Sequence, residues 1–212
     1  MENASKALIM AGSILLAVLI ITALIYTFNQ ISNLKQVEAS TEEEKVLAQY
    51  SKEIDGFDKA GLYGSEVLSL ANLIEDYNIK QADLKNYEPI ELKVTITEII
   101  GAEYLKTTEY TKYKDLTNDF KKIESEVNKL KKKVYYGQTV EKLSGMTEWK
   151  FDEIMKGVSD QEIIKIKEDI NKYQNLNTEI QTFKNKRFNK PEVKHDEKTG
   201  RVLSVTYKEI GL

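Results

Sequence analysis

The sequence predicts an α+β protein in which a long N-terminal transmembrane helix continues into a domain with a small antiparallel sheet and a helical pair. Three observations carry that expectation. No charged residue lies between Lys6 and Lys35, although 31% of the 212 residues are charged. Two later segments space their apolar residues as an amphipathic helix does, and segments near Val94 and at the C-terminal end alternate apolar and polar residues as half-buried strands do. The length suits one membrane segment and one ordinary domain.

The first element is the run 8–28, LIMAGSILLAVLIITALIYTF. As a helix it is about 31 Å long, which matches a hydrocarbon core of about 30 Å. Leu8, Ile9, Ile14, Leu15, Leu16 and Val18 supply the first half of its apolar surface. Leu19, Ile20, Ile21, Leu24, Ile25 and Phe28 supply the second. Ala11 and Gly12 make a small-residue patch where another helix can approach closely. The run exceeds the roughly 7–15 apolar residues of a cleavable signal and is followed by YTFNQISN, so the segment is expected to be retained. Lys6 precedes the span, while Lys35 and the acidic Glu38, Glu42, Glu43 and Glu44 follow it; cationic residues favour the cytoplasm, which tips the domain outward. The expected division is a short cytoplasmic N-terminus (1–6), a transmembrane helix (7–28), a helical extension (29–55) and an extracytoplasmic α+β domain (56–212), giving a single-pass protein of the cell membrane.

The extension follows from Ile31, Leu34 and Val37, then Val46, Leu47, Tyr50 and Ile54, at imperfect helical spacing, with no glycine between Gly12 and Gly56 and no proline before Pro89. A kink is expected near Ser40. After Gly56, Gly61 and Gly64, Ser65 is a suitable N-cap for a short helix ending near Asn78. Leu92, Val94 and Ile96 alternate with polar neighbours and predict a strand behind Pro89. Leu116, Phe120, Ile123, Val127, Leu130 and Val134, at steps of four and three, predict a helix over 116–134. Ile163, Ile166, Ile170, Tyr173, Leu176, Ile180 and Phe183 predict a second one over 160–185. Each stripe is shorter than three heptads, which favours an antiparallel intramolecular pair over a partner-binding coiled coil. At the end, Val193 and His195, the turn-rich DEKTG, and Val202, Val205 and Tyr207 predict a β-hairpin with Gly200 at a positive-φ position.

Chemistry is sparse. The chain holds one histidine, His195, and no cysteine, so there is no proton-shuttle pair and no thiolate metal site. It lacks nucleophile-elbow, phosphate-loop and dinucleotide motifs. Consecutive Glu42, Glu43 and Glu44 point in different directions on a helix and cannot converge on one ion; Glu124, Glu126 and the lysines 129 and 131–133 form a solvated helix face. No catalytic, cofactor-binding or metal-binding residue, no cofactor and no small-molecule substrate is therefore expected. The net charge of −3, interleaved lysines and glutamates, and only two arginines argue against nucleic acid.

The stretches MENASKALIMAGSILLAVLI, GLYGSEVLSLANLIEDYN and DEKTGRVLSVTYKEI are similar to pilin-like membrane proteins of Gram-positive gut bacteria. A long apolar helix running on into a domain, a glycine-bearing loop and a closing hairpin resemble the architecture of type IV pilins and pseudopilins. That resemblance implies a non-enzymatic structural subunit of a surface filament or secretion apparatus. Its partners would be the lipid bilayer, further copies of itself meeting through Ala11 and Gly12, and pilus or secretion components. The run lacks the family's basic leader ending in glycine and the glutamate behind it, so processing by a prepilin peptidase is not implied. The alternative expectation is a membrane-tethered binding or sensory module that receives a protein partner on the helices 116–134 and 160–185.

Overall fold

The computed structural model describes residues 22, 25–27, 42–82 and 87–212. It comprises two compact units, residues 1–48 and 49–212. In the first, the described residues 22, 25–27 and 42–48 are helical. The expected membrane span 7–28 and the extension up to residue 41 otherwise lie outside the described residues, as does the kink near Ser40. Among the described residues no helix is long and apolar enough to cross a membrane.

The second unit starts with helical residues 49–55 and continues with α1 (Gly64–Lys80), β1 (Glu91–Thr95), β2 (Glu109–Tyr110) and α2 (Tyr113–Lys132). Then come β3 (Val134–Tyr135), β4 (Gln138–Thr139), α3 (Val140–Ser144), α4 (Glu148–Ile154), α5 (Asp160–Asn185), β5 (Glu192–His195) and β6 (Val202–Lys208).

The main sheet has the order β2-β1-β6-β5. Its centre is parallel: Leu92 lies beside Val205 and Val94 beside Tyr207. Both outer pairs, β1–β2 and β5–β6, are antiparallel. The expected fold class, a transmembrane helix leading into a small antiparallel sheet with a pilin-like layout, is thus corrected to α+β with a mixed sheet. The reason is the position of the helices. Everything from α2 to α5 sits between β1 and β6, and such a long crossover lets a strand return parallel to the one it left. The second, two-stranded sheet β3–β4 was not expected either.

Local chemistry explains most boundaries. Alpha-1 starts one residue ahead of the expected cap at Ser65: the Glu66 carboxylate accepts a 2.8 Å hydrogen bond from the Tyr63 N–H, and Gly64 opens the helix. Gly64 is required there, because a Cβ would lie 2.0 Å from the carbonyl oxygen of Phe183 at the end of α5. The buried Asn78 side chain pairs with both backbone groups of Ile90, each at 2.9 Å, and so positions the start of β1. The α2 stripe turns inward as its spacing predicts, with Leu116, Phe120, Ile123 and Leu130 buried. Val134 breaks the prediction: it leaves the helix for β3 and is 57% exposed. The closing hairpin forms as expected, with Gly200 at φ 67° and the Asp196 carboxylate accepting from the N–H groups of Lys198 and Thr199.

Alpha-2 and α5 run antiparallel, since Phe120 meets Phe183, Glu126 meets Lys172 and Lys133 meets Asp169. An aromatic chain from Phe120 through Phe183 and Phe188 to Tyr207 joins these helices to the sheet, with centroid separations of 4.9, 6.4 and 5.9 Å.

Candidate functional site

Several of the described charged groups have structural roles. Glu179, on α5 and 4% exposed, accepts hydrogen bonds from the backbone N–H groups of Glu103 (2.9 Å), Tyr104 (2.8 Å) and Leu105. It pins the segment after β1 to α5. Lys186 and Glu209 form a 2.8 Å ion pair with side chains 8% and 14% exposed, and the Thr97 N–H and hydroxyl donate to the same carboxylate. Burial pushes the Glu209 carboxyl up, but the hydrogen bonds from Lys186 and Thr97 outweigh it and hold the group below the usual glutamate range. His195 is an exposed strand residue, its Nε2 3.0 Å from Asp55. Among the described residues no cluster of histidine and carboxylate side chains could hold a metal ion.

A different arrangement occurs where α3, α4 and the first half of α5 meet. The chain is folded back there by Tyr136 (φ 50°) and Gly137 (φ 74°), the positive-φ pair that a two-residue hairpin between β3 and β4 requires. The Thr139 hydroxyl caps α3, and Ser159 caps α5. Leu143, Phe151, Met155 and Ile166 then close a small core of their own, with Tyr135, Met146, Ile163 and Ile170 around it. The hairpin is fastened to α5 through Asp169, which pairs with Lys133 at 2.6 Å and accepts from the Tyr135 hydroxyl. Burial alone would raise the Asp169 carboxyl; the bonds from Lys133 and Tyr135 prevail and lower it.

On this small core lies a pocket of about 280 Å³. Its floor is Leu143, Met146, Phe151 and Ile170. Its rim carries Glu148 from α4, and Lys167, Asn171 and Gln174 from successive turns of α5. Gln174 is engaged, donating to the Ser144 carbonyl at 3.0 Å. The Lys167 ammonium lies 5.5 Å from the centre of the Phe151 ring. The side chains of Glu148, Lys167 and Asn171 take part in no hydrogen bond and no ion pair among the described residues.

A second hollow, of about 460 Å³, lies over the outer face of α2 between Tyr104 and Lys129. Its lysines are already used: Lys121 pairs with Glu75 at 2.7 Å, Lys122 with Asp119 at 3.1 Å and Lys129 with Glu126 at 3.4 Å.

Of the sequence-predicted anchor residues, Ile25 alone is described; it is helical and 57% exposed. Leu8, Ile9, Ile14, Leu15, Leu16 and Val18 lie outside the described residues, as do Leu19, Ile20, Ile21, Leu24 and Phe28. So do Ala11 and Gly12, the expected helix contact. The stripes considered for a partner are turned inward instead: Phe120, Ile166, Leu176 and Phe183 are all at most 2% exposed. Sequence reasoning missed the pocket because its lining comes from three helices, and the segment LSGMTEWKFDEIM shows only a fragmentary apolar rhythm around Gly145. No protein-family model, curated protein or solved structure matches this chain.

Proposed function

We propose that the chain is a membrane-anchored, non-enzymatic binding module, tethered through the apolar run 8–28 and presenting its domain outside the cytoplasm. One observation carries the binding part: the pocket brings Glu148, Lys167 and Asn171, whose side chains make no hydrogen bond or ion pair among the described residues, to the rim of an apolar floor, with Lys167 resting over the Phe151 ring. Concave apolar sites with a few convergent polar groups are where proteins take ligands. The stripes of α2 and α5 are turned inward, so a partner would meet the outer faces of these helices rather than the stripes. The tether rests on the 21-residue uncharged span, whose length suits a bilayer.

The test uses the full-length chain in intact cells. Alkaline extraction should leave it in the membrane fraction, and external protease should digest the domain; release by alkali, or protection from protease, counts against the tether or its orientation. A photo-crosslinking side chain in place of Asn171 should give a mass adduct that the same group in place of Glu124, on the outer face of α2, does not. Equal adducts at both positions, or none at residue 171, would refute the binding reading.

A further inference from the structure

We infer that the pocket between α3, α4 and α5 recognises a small zwitterion with an apolar side chain, that is, a free amino acid of the leucine, methionine or phenylalanine kind. This rests on the reading of that pocket as a binding site and names its ligand class. Size is the first constraint on the ligand. The pocket volume of about 280 Å³ equals that of about nine liquid waters at about 30 Å³ each, and lies just below the about 300–1,000 Å³ of sites for larger ligands. A nucleotide or an oligosaccharide would extend well beyond such a space, whereas a small molecule is held within it.

Charge then selects among small molecules. Lys167 and Glu148 stand on different helices on the rim of one pocket, neither of them in an ion pair. A fatty acid would satisfy Lys167 and set its carboxylate beside Glu148. An alkylamine would satisfy Glu148 and set its charge beside Lys167. A phosphate ester would meet a single cation with a carboxylate nearby. A zwitterion satisfies both, and the carboxamide of Asn171, one turn beyond Lys167, can donate to a carboxylate or accept from an ammonium. The apolar side chain would lie on Leu143, Phe151, Ile170 and Met146, whose unbranched thioether adapts to different shapes.

The protein supplies its own reporter. Trp149 is the one tryptophan of the sequence, is 68% exposed, and follows Glu148 on α4. Full-length protein in lipid nanodiscs is titrated with L-leucine, L-methionine and L-phenylalanine, and with isocaproate and isoamylamine, which each lack one charge. Trp149 fluorescence and titration calorimetry are read together. The amino acids should saturate one site, with each singly charged analogue about three- to tenfold weaker, as expected for solvent-exposed charge contacts. Lys167→Ala should abolish the preference over isoamylamine, and Glu148→Gln the preference over isocaproate. Analogues binding as tightly as the amino acids would overturn the inference and leave an apolar binding site. Absence of heat and fluorescence change overturns it too; a protein adduct at residue 171 would then preserve the binding module, and no adduct would remove both.

Discussion

Replacing Glu179 by alanine tests how a single buried side chain holds the segment after β1. Its carboxylate accepts three backbone N–H groups, those of Glu103, Tyr104 and Leu105. Leu105 is fully buried, so its N–H would lose its partner with no access to water and cost about 1–3 kcal/mol. Glu103 and Tyr104 are partly exposed and can recover some hydration, which brings the expected total to about 3 kcal/mol. For a domain of this size that corresponds to a fall in melting temperature of about 6–12 °C. Glu179→Gln separates the contributions. The bonds from Tyr104 and Leu105 converge on Oε1 and that from Glu103 reaches Oε2, so a carboxamide can keep two of the three; the expected cost is about 1 kcal/mol. Thermal unfolding followed by circular dichroism gives the stabilities, and amide exchange at residues 103–105 locates the damage. A Glu179→Ala variant melting within about 2 °C of the parent would refute the reasoning. A glutamine variant as unstable as the alanine one would show that charge, not hydrogen bonding, dominates.

Three further outcomes are expected. The Glu209 carboxyl is held below its ordinary range, so its contribution to stability is fully present above that range and is lost as pH falls through the depressed value; Glu209→Gln should cost about 2 kcal/mol at neutral pH, and urea titrations should show the gap closing in acid. Gly64→Ala would place a methyl group 2.0 Å from the Phe183 carbonyl and should cost about 2–3 kcal/mol by forcing α1 from α5, whereas Gly145→Ala, whose nearest outside atom is 3.9 Å away, should melt like the parent. Phe120→Asp buries an unpaired charge at a position 2% exposed and should unfold the domain outright; retained helical dichroism would mark the α2 stripe as an interface.

The legible parts of this molecule are those whose physics is local. The steps of four and three from Leu116 to Leu130 suffice for α2, because a helix makes its own hydrogen bonds and needs only one apolar face. The alternation around Val94 and the turn residues before Gly200 suffice for β1 and the closing hairpin. The same local rhythm misleads at Val134, where the next apolar step continues on paper but the chain turns into β3. A β-branched residue fits a strand, and the hairpin pair Tyr136 and Gly137 follows at once.

What the sequence by itself determined is a long uncharged N-terminal span, two amphipathic helices, a C-terminal hairpin and a composition with one histidine and no cysteine. Only the tertiary structure decided that β1 lies parallel to β6, that Glu179 is a buried clamp rather than a solvated helix residue, and that Glu148 and Lys167 share one pocket. The physical reason is the same in each case. Strand direction, desolvation of a carboxylate and convergence of a rim depend on contacts between elements distant in sequence, and periodicity along one element carries no information about which neighbour will cover it.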